Sequence, residues 1–255
     1  MTDAGSAART RPLNEQVALV TGSSRGIGRA IAERLATQVA AVVVNYHSNA
    51  DDAAQVVKTI QAAGADAVAV RADIGDVAQV RGLFDSAHEH FGGLDIIVHN
   101  AATASFGPLA EATDDDFDLI FTANARATFL VLREAATRVR EAGRIVFVSS
   151  GVTATHRPGT GLYAAGKAAG EQLVRVLARE LGSRAITVNS VLPGATRTEA
   201  LATSGDPTMI EQVAALTPLG RIGEPADLAD IVGFLVSHDA RWVTGQSLHA
   251  GGGLF

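Results

Sequence analysis

Cysteine is absent from this 255-residue chain, which excludes disulfides and thiolate metal sites. That absence fits a reducing compartment, and a cytoplasmic location is expected. The seven histidines are scattered, with no His-Glu-x-x-His or comparable ligand cluster. His88 and His90 flank Glu89 on an expected helix surface, and no metal is expected there. A basic excess is also missing. The formal net charge is −6, whereas nucleic-acid binding calls for a basic face. No apolar run exceeds strand length, so no membrane span is expected. Disorder is excluded by 47% hydrophobic and 19% charged residues, a balance that builds a core. Neither an internal repeat nor a linker divides the chain.

The length suits one large α/β domain. Short apolar runs recur at Val17–Val20, Ala41–Val44, Ala67–Val70, Ile96–Val98, Ile145–Val148, Ile186–Val191 and Ser247–His249. Helix-length segments separate them. This alternation predicts a doubly wound parallel sheet with helices on both faces. Residues 1–13 are small and polar, and a flexible tail rather than a secretion signal is expected ahead of a single domain over 14–255.

Two motifs carry chemistry. Val17–Val20 leads into Thr21-Gly22-Ser23-Ser24-Arg25-Gly26-Ile27-Gly28, and Arg29–Gln38 reads as helix. Strand, glycine-rich turn and helix aim backbone N–H groups at a phosphate. The Gly-x-x-x-Gly-x-Gly spacing is neither Gly-x-Gly-x-x-Gly nor a nucleoside-triphosphate loop, since no Gly-Lys-Ser/Thr follows. The second motif is Tyr163-Ala164-Ala165-Gly166-Lys167. On a helix, residues i and i+4 share a face. A phenol ordinarily holds its proton until pH about 10, and a nearby cation lowers that value. Tyr-x-x-x-Lys can therefore make a tyrosine exchange a proton near neutral pH.

Together these motifs resemble the short-chain dehydrogenase/reductase family, and the resemblance continues from about residue 14 to 255. Asp73-Ile74 follow the third apolar run, and His99-Asn100-Ala101-Ala102 the fourth. Asn124 lies in a helix, Ser149-Ser150 follow the fifth run, and Tyr163 stands thirteen residues after Ser150. Pro193-Gly194 and Thr198 come next, and Val243–His249 has the family look. The resemblance implies a seven-stranded Rossmann domain. It implies that Ser150 hydrogen-bonds the substrate oxygen and that Tyr163 transfers the proton. Lys167 would lower the Tyr163 pKa and bind the nicotinamide ribose, and Asn124 would hold a water chain. Ser150 as a plain turn serine and Asn124 as a buried structural residue are the competing readings. The dinucleotide contacts implied are Gly22, Ser24, Arg25, Gly26, Ile27 and Gly28; Asn45, Tyr46 and His47; Asp73 and Ile74; Asn100 and Ala101; Tyr163 and Lys167; and Pro193, Gly194, Thr196 and Thr198.

Charge argues for NADP(H). An NAD enzyme places an acid about twenty residues past the glycine turn. Here the second strand ends in Asn45-Tyr46-His47-Ser48, with no acid to repel a 2′-phosphate. Arg25 suits that phosphate in geometry and charge, its alternative being a solvated loop charge. Three departures stand out: His99 and Ala102 in the family's Asn-Asn-Ala-Gly motif, Gly166 where Ser is common, and Ala250 for a frequent Asp. Ala102 puts the geometry of its turn in question. The nearest subgroup is similar to 3-oxoacyl-[acyl-carrier-protein] reductases, through Thr217-Pro218-Leu219-Gly220-Arg221 and the C-terminal motif. The expected activity is NADP(H)-dependent reduction of a ketone or 3-oxoacyl group. The alternatives are an NAD(H)-dependent alcohol, sugar or steroid dehydrogenase, and a non-catalytic dinucleotide sensor. Substrate would be read by about Ala195–Leu216, which includes Thr203 and shows no aromatic cage. An acidic carrier protein would call on Arg126, Arg133, Arg157 or Arg197. The small residues around Tyr163 suit either a subunit interface or a close intrachain contact. A homotetramer is expected, with Leu254 and Phe255 buried against a neighbour.

Overall fold

The computed structural model describes residues 11–199, 201 and 207–255. Among them, strands β1 (Val17–Val20), β2 (Ala41–Tyr46), β3 (Asp66–Arg71), β4 (Leu94–His99), β5 (Val139–Val148), β6 (Thr187–Pro193) and β7 (Ser247–Ala250) form one sheet. Its order is β3-β2-β1-β4-β5-β6-β7, and every neighbouring pair is parallel. Val/Ile-rich runs suit strands covered on both faces, and β1 and β4 are buried throughout.

Alternation along β1 sends its side chains into two layers. Val17 and Leu19 join a core with α3 (Val77–Phe91), α5 (Ala127–Arg138) and α7 (Gly161–Glu180). Ala18 and Val20 face the other layer, with α1 (Gly26–Ala36), α2 (Ala50–Ala62) and α9 (Pro225–Val236). Further α-helices among the described residues include α4 (Asp114–Phe121), the one-turn α6 (Val152–Thr155) and α8 (Pro207–Leu216). Local chemistry sets their limits. Asp76 caps α3 by accepting from the Gln79 N–H at 2.9 Å, and Gly92 ends it at φ 73°, a left-handed conformation that glycine adopts without steric cost. Thr113 and Asp116 cap α4 reciprocally.

The order of strands reverses between β1 and β4, and a doubly wound sheet binds ligands in the crevice beyond the strand C-termini at that point. Boundaries differ modestly from the sequence reading. Helix α1 starts at Gly26 rather than Arg29, and β2 includes Asn45 and Tyr46. Between α4 and α5 lies a π-helical turn, Thr122–Arg126. Of the expected tail, residues 1–10 lie outside the described residues, whereas Arg11 pairs with Asp95 at 3.0 Å. In the expected substrate-reading segment, Ala200 and residues 202–206, Thr203 among them, also lie outside.

Two segments expected at subunit contacts also pack within the chain. A Cβ on Gly170 would lie 2.6 Å from the Phe147 ring, and one on Gly166 3.2 Å from the Asn124 Cβ. Both glycines thus serve an intrachain contact. The Phe255 ring packs on the chain's own Gly151 and Gly251 and lies 5.3 Å from the His249 ring.

Candidate active site

Backbone shape comes first. Gly22 and Gly26 have φ of 61° and 57°, which a side chain would strain. A Cβ on Gly28 would meet the Gly22 carbonyl and lie 2.5 Å from Asn100 Nδ2, so the first turn of α1 presses directly on the glycine-rich loop. No side chain caps α1. Its first N–H groups, which have no intrahelical acceptor, remain free to bind an anion.

Two asparagines and a histidine hold this loop. Asn45 accepts from the Gly22 N–H at 3.1 Å and donates to the carbonyls of Val70 at 3.3 Å and Ala72 at 3.1 Å. Asn45 is buried, and its amide is spent bracing β1, β2 and β3. Asn100 donates to the carbonyls of Thr21 and Gly22, both at 3.1 Å. The Thr21 hydroxyl accepts from the N–H groups of Asn100 and Ala101. Its own proton therefore goes to His99 Nδ1, 3.0 Å away, and the His99 Nε2–H donates to Thr128 Oγ1 at 3.0 Å. Burial, aided by the Lys167 charge, lowers the His99 pKa to about 3, which keeps this relay neutral. The network absorbs the His99 departure from the family motif. His99 is a brace, and Ala102 is not among the residues of positive φ.

The sequence-predicted residues converge. All but Gly28 and Asn124 line one cleft of about 550 Å³ at the C-terminal edge of the sheet. Arg25 is exposed and lines the same cleft as Tyr46 and His47. Asp73 Oδ1 accepts from the Gly75 N–H at 2.8 Å. Thr196 donates to the Gly194 carbonyl at 3.0 Å, and Thr198 accepts from Leu201 N–H at 3.3 Å. The loop, the uncapped helix and Arg25 together fit a dinucleotide bearing an extra phosphate.

At the far end of the cleft, Ser150, which follows β5, and Tyr163 on α7 line the same wall. Lys167, only 2% exposed, donates to the Val148 carbonyl at 2.8 Å. Its Nζ lies 4.9 Å from the Phe147 ring centroid and 6.0 Å from that of Tyr163. Electrostatics here departs from the sequence expectation. Burial raises the Tyr163 pKa, and the opposing pull comes from Ser150. Lys167 is itself lowered to about 7 by burial, with Glu171 pulling it back up. The ammonium faces a carbonyl and a ring rather than only the phenol, so its charge is the costly one.

Asn124 lies in the π turn, where an inserted residue redirects side chains, a feature common at functional sites. Its Nδ2 donates to the carbonyls of Thr103 at 2.7 Å and Ile120 at 2.8 Å. Its Oδ1 is buried with no partner among the described residues, an acceptor of the kind ordered water satisfies.

Phe106 and Glu171 escaped the sequence reading, and Arg157 takes a place other than the carrier-protein contact considered for it. Phe106, 57% exposed, sets its ring edge against Tyr163 at 5.9 Å. The Arg157 guanidinium covers that ring at 5.7 Å. The flanking loops are tied by the Gly107 N–H donating to the Gly159 carbonyl at 2.8 Å. Glu171 is buried one helical turn beyond Lys167.

Comparison with known proteins agrees with this geometry. A family profile described as enoyl-(acyl carrier protein) reductase matches residues 22–255. Versicolorin reductase stcU of Emericella nidulans is 42% identical, over 95% of this chain and 97% of that protein. Versicolorin reductase 1 of Dothistroma septosporum is 44% identical over the same shares. The solved structure of the angucycline C-6 ketoreductase LanV with bound NADP superposes with a TM-score of 0.90, at 42% identity over 96% of this chain and 98% of that one. A short-chain dehydrogenase from Burkholderia cenocepacia J2315 in complex with NADP gives a TM-score of 0.89, at 39% identity over 96% and 99%. With a parallel seven-stranded sheet, a glycine-rich loop at its switch point and relatives aligned over nearly their whole length, the chain belongs to the short-chain dehydrogenase/reductase family of oxidoreductases.

Proposed function

We propose that this chain is an NADP(H)-dependent ketoreductase, acting through Ser150, Tyr163 and Lys167. The observation that carries this reading is the convergence of Ser150, Tyr163 and Lys167 in one cleft with Arg25 and the glycine-rich loop. Two hydroxyls converging on one oxygen suit a ketone carbonyl better than a carbon–carbon double bond. Arg25 makes no ion pair among the described residues, which leaves it available to a 2′-phosphate, and the second strand ends without an acid. The NADP-bound relatives support the same cofactor.

Reduced nicotinamide supplies the hydride when bound. Ser150 donates a hydrogen bond to the substrate oxygen and holds it against Tyr163. Tyr163 gives its proton to that oxygen as the carbonyl becomes an alcohol. A phenol pKa raised by burial favours the protonated form, which suits an acid in the reductive direction. Lys167 holds the nicotinamide ribose, and Asn124 Oδ1 anchors the water that returns the proton.

The mouth favours a planar, ring-bearing ketone. Phe106 offers an exposed aromatic edge beside Tyr163, and aromatic pairs add ~0.5–1.5 kcal/mol beyond burial. The names of the versicolorin reductases and of the C-6 ketoreductase LanV support a reductase acting on a ketone. A carrier-protein substrate is less favoured. Arg126 is spent on the Gly75 carbonyl, Arg133 on Glu134 and Phe129, and Arg197 on Glu224. Only Arg157 of those four flanks the mouth. The working form is a cytoplasmic homotetramer with a single catalytic domain over 14–255, a reading that gives the exposed Phe117, Phe129, Val176 and Trp242 a partner surface.

The test is a panel of polycyclic aryl ketones, small aliphatic ketones and 3-oxoacyl thioesters with NADPH, followed by loss of nicotinamide absorbance. Ring ketones should turn over best, and Phe106→Ala should raise their KM while leaving aliphatic ketones unaffected. No NADPH oxidation across the panel refutes the activity.

A further inference from the structure

A buried carboxylate needs a reason, because removing an unpaired charge from water is costly. Glu171 is 7% exposed. Its Oε1 accepts from Ser149 Oγ at 2.6 Å and Thr153 Oγ1 at 2.8 Å. Its Oε2 faces Ser247 Oγ at 3.4 Å. All of these partners are donors, as an acceptor-only carboxylate requires. The Arg175 guanidinium, at 3.9 Å and largely exposed, is a loose partner of the kind that contributes little.

The placement of these partners is informative. Ser149 and Thr153 bracket Ser150, so one carboxylate oxygen ties both flanks of the serine turn to α7. Tyr163, Lys167 and Glu171 follow at i, i+4 and i+8 along that helix, on one drifting face. We propose that Glu171 is a positioning residue of the site, fixing the Ser150 turn against α7 and serving as the internal counter-ion of Lys167 one helical turn away. The proposal rests on the ketoreductase reading for its kinetic consequence, but not for its electrostatic one.

Few charged groups compete in this environment. Lys167 is faced by Tyr163 and Glu171 on its own helix and by His99 from β4. From β5 it meets only the Val148 carbonyl and the Phe147 ring. Glu171 is faced by Lys167 and Arg175 on α7, and by hydroxyls from the β5 end, α6 and β7. His99 is neutral above acid pH, leaving Glu171 as the anion that supports the lysine.

The chain has only two lysines, Lys58 and Lys167, so carbon-13 lysine labelling gives two Cε signals. Lys58→Arg assigns them. In wild type the Lys167 signal should titrate near neutrality. Glu171→Gln keeps the shape and removes the charge. It should move the Lys167 midpoint measurably down, as loss of an opposite charge one helical turn away requires. Glu171→Asp, which retracts the charge, should give a smaller shift in the same direction if the Gln variant fails to fold. An unmoved midpoint in a folded variant overturns the proposal.

NADPH-dependent turnover provides the second readout. In Glu171→Gln the alkaline limb of kcat/KM should move to lower pH by the same amount, with activity returning on acidification. A loss of equal size at every pH would mean a merely structural carboxylate and would also overturn the proposal. If no ketone is reduced at all, the ketoreductase reading fails while the lysine titration still decides the counter-ion claim.

Discussion

Replacing Lys167 by methionine should stabilise the protein at neutral pH, by an amount that shrinks as pH rises. Burial takes the Lys167 pKa from 10.5 to about 7. Each pH unit of difference corresponds to ~1.4 kcal/mol. The buried ammonium therefore costs the fold on the order of 5 kcal/mol relative to the neutral amine. The sign follows from proton counts. Between those two pKa values the unfolded chain holds a proton on this lysine that the folded chain has released. Stability therefore rises with pH across the window, and the full cost is felt below about pH 7. Methionine binds no proton in either state, so the wild-type-minus-variant difference isolates this group. His99, lowered to about 3, stays neutral throughout and does not contribute. Guanidinium unfolding at fixed protein concentration, from pH 7.5 to 9.5, should show wild type gaining about 2.7 kcal/mol on Lys167→Met. A difference independent of pH would falsify the claim that the site stores its strain in a desolvated ammonium.

The other expectations concern turnover and cofactor. Tyr163→Phe removes only the titrating hydroxyl and should cost about 10²–10⁴-fold in kcat while NADPH still binds; retention of more than half the wild-type rate, with chemistry limiting, would rule Tyr163 out as the acid. Arg25→Ala should weaken NADPH ten- to a hundredfold more than NADH, since a hydrogen bond to a charged group contributes roughly 1.5–3 kcal/mol, and equal losses in parallel titrations would reduce Arg25 to a loop charge. Gly28→Ala forces a methyl against the Gly22 carbonyl and Asn100, so a stability loss of about 1–3 kcal/mol and weaker binding of either nucleotide are expected; an unchanged melting temperature would show that the loop yields.

The sheet was legible because parallel strands buried on both faces must be apolar throughout. Runs such as Val17–Val20 and Ile96–Val98 have no other easy use. The cleft was legible because its chemistry comes just after strands, so Gly22, Asn100, Ser150 and Pro193 could be ordered before any coordinate was known. The π turn was not legible. Thr122-Ala123-Asn124-Ala125-Arg126 has ordinary helical composition, and the extra residue answers to packing between α4 and α7 rather than to local propensity. Glu171 left a fainter trace, continuing the i, i+4 spacing of Tyr163 and Lys167, but spacing alone does not separate a buried carboxylate from a solvated one. Phe106 sits in an irregular exposed stretch where no periodicity marks which side chain turns toward the site.

Asn45 shows how a correct location can hide a second task. As a residue at the end of β2 without a negative charge, it reads as permissive for a 2′-phosphate. Its amide is also the brace that accepts from Gly22 and donates to Val70 and Ala72. A carboxylate there would keep the first bond and turn two donor contacts into oxygen–oxygen repulsion. Leaving buried carbonyls unpaired costs about 1–3 kcal/mol each, so Asn45→Asp would loosen the glycine-rich loop as well as oppose a phosphate. On the proposed reading, Asn45 would thus serve both cofactor choice and loop rigidity, and Arg25→Ala tests the first without the second.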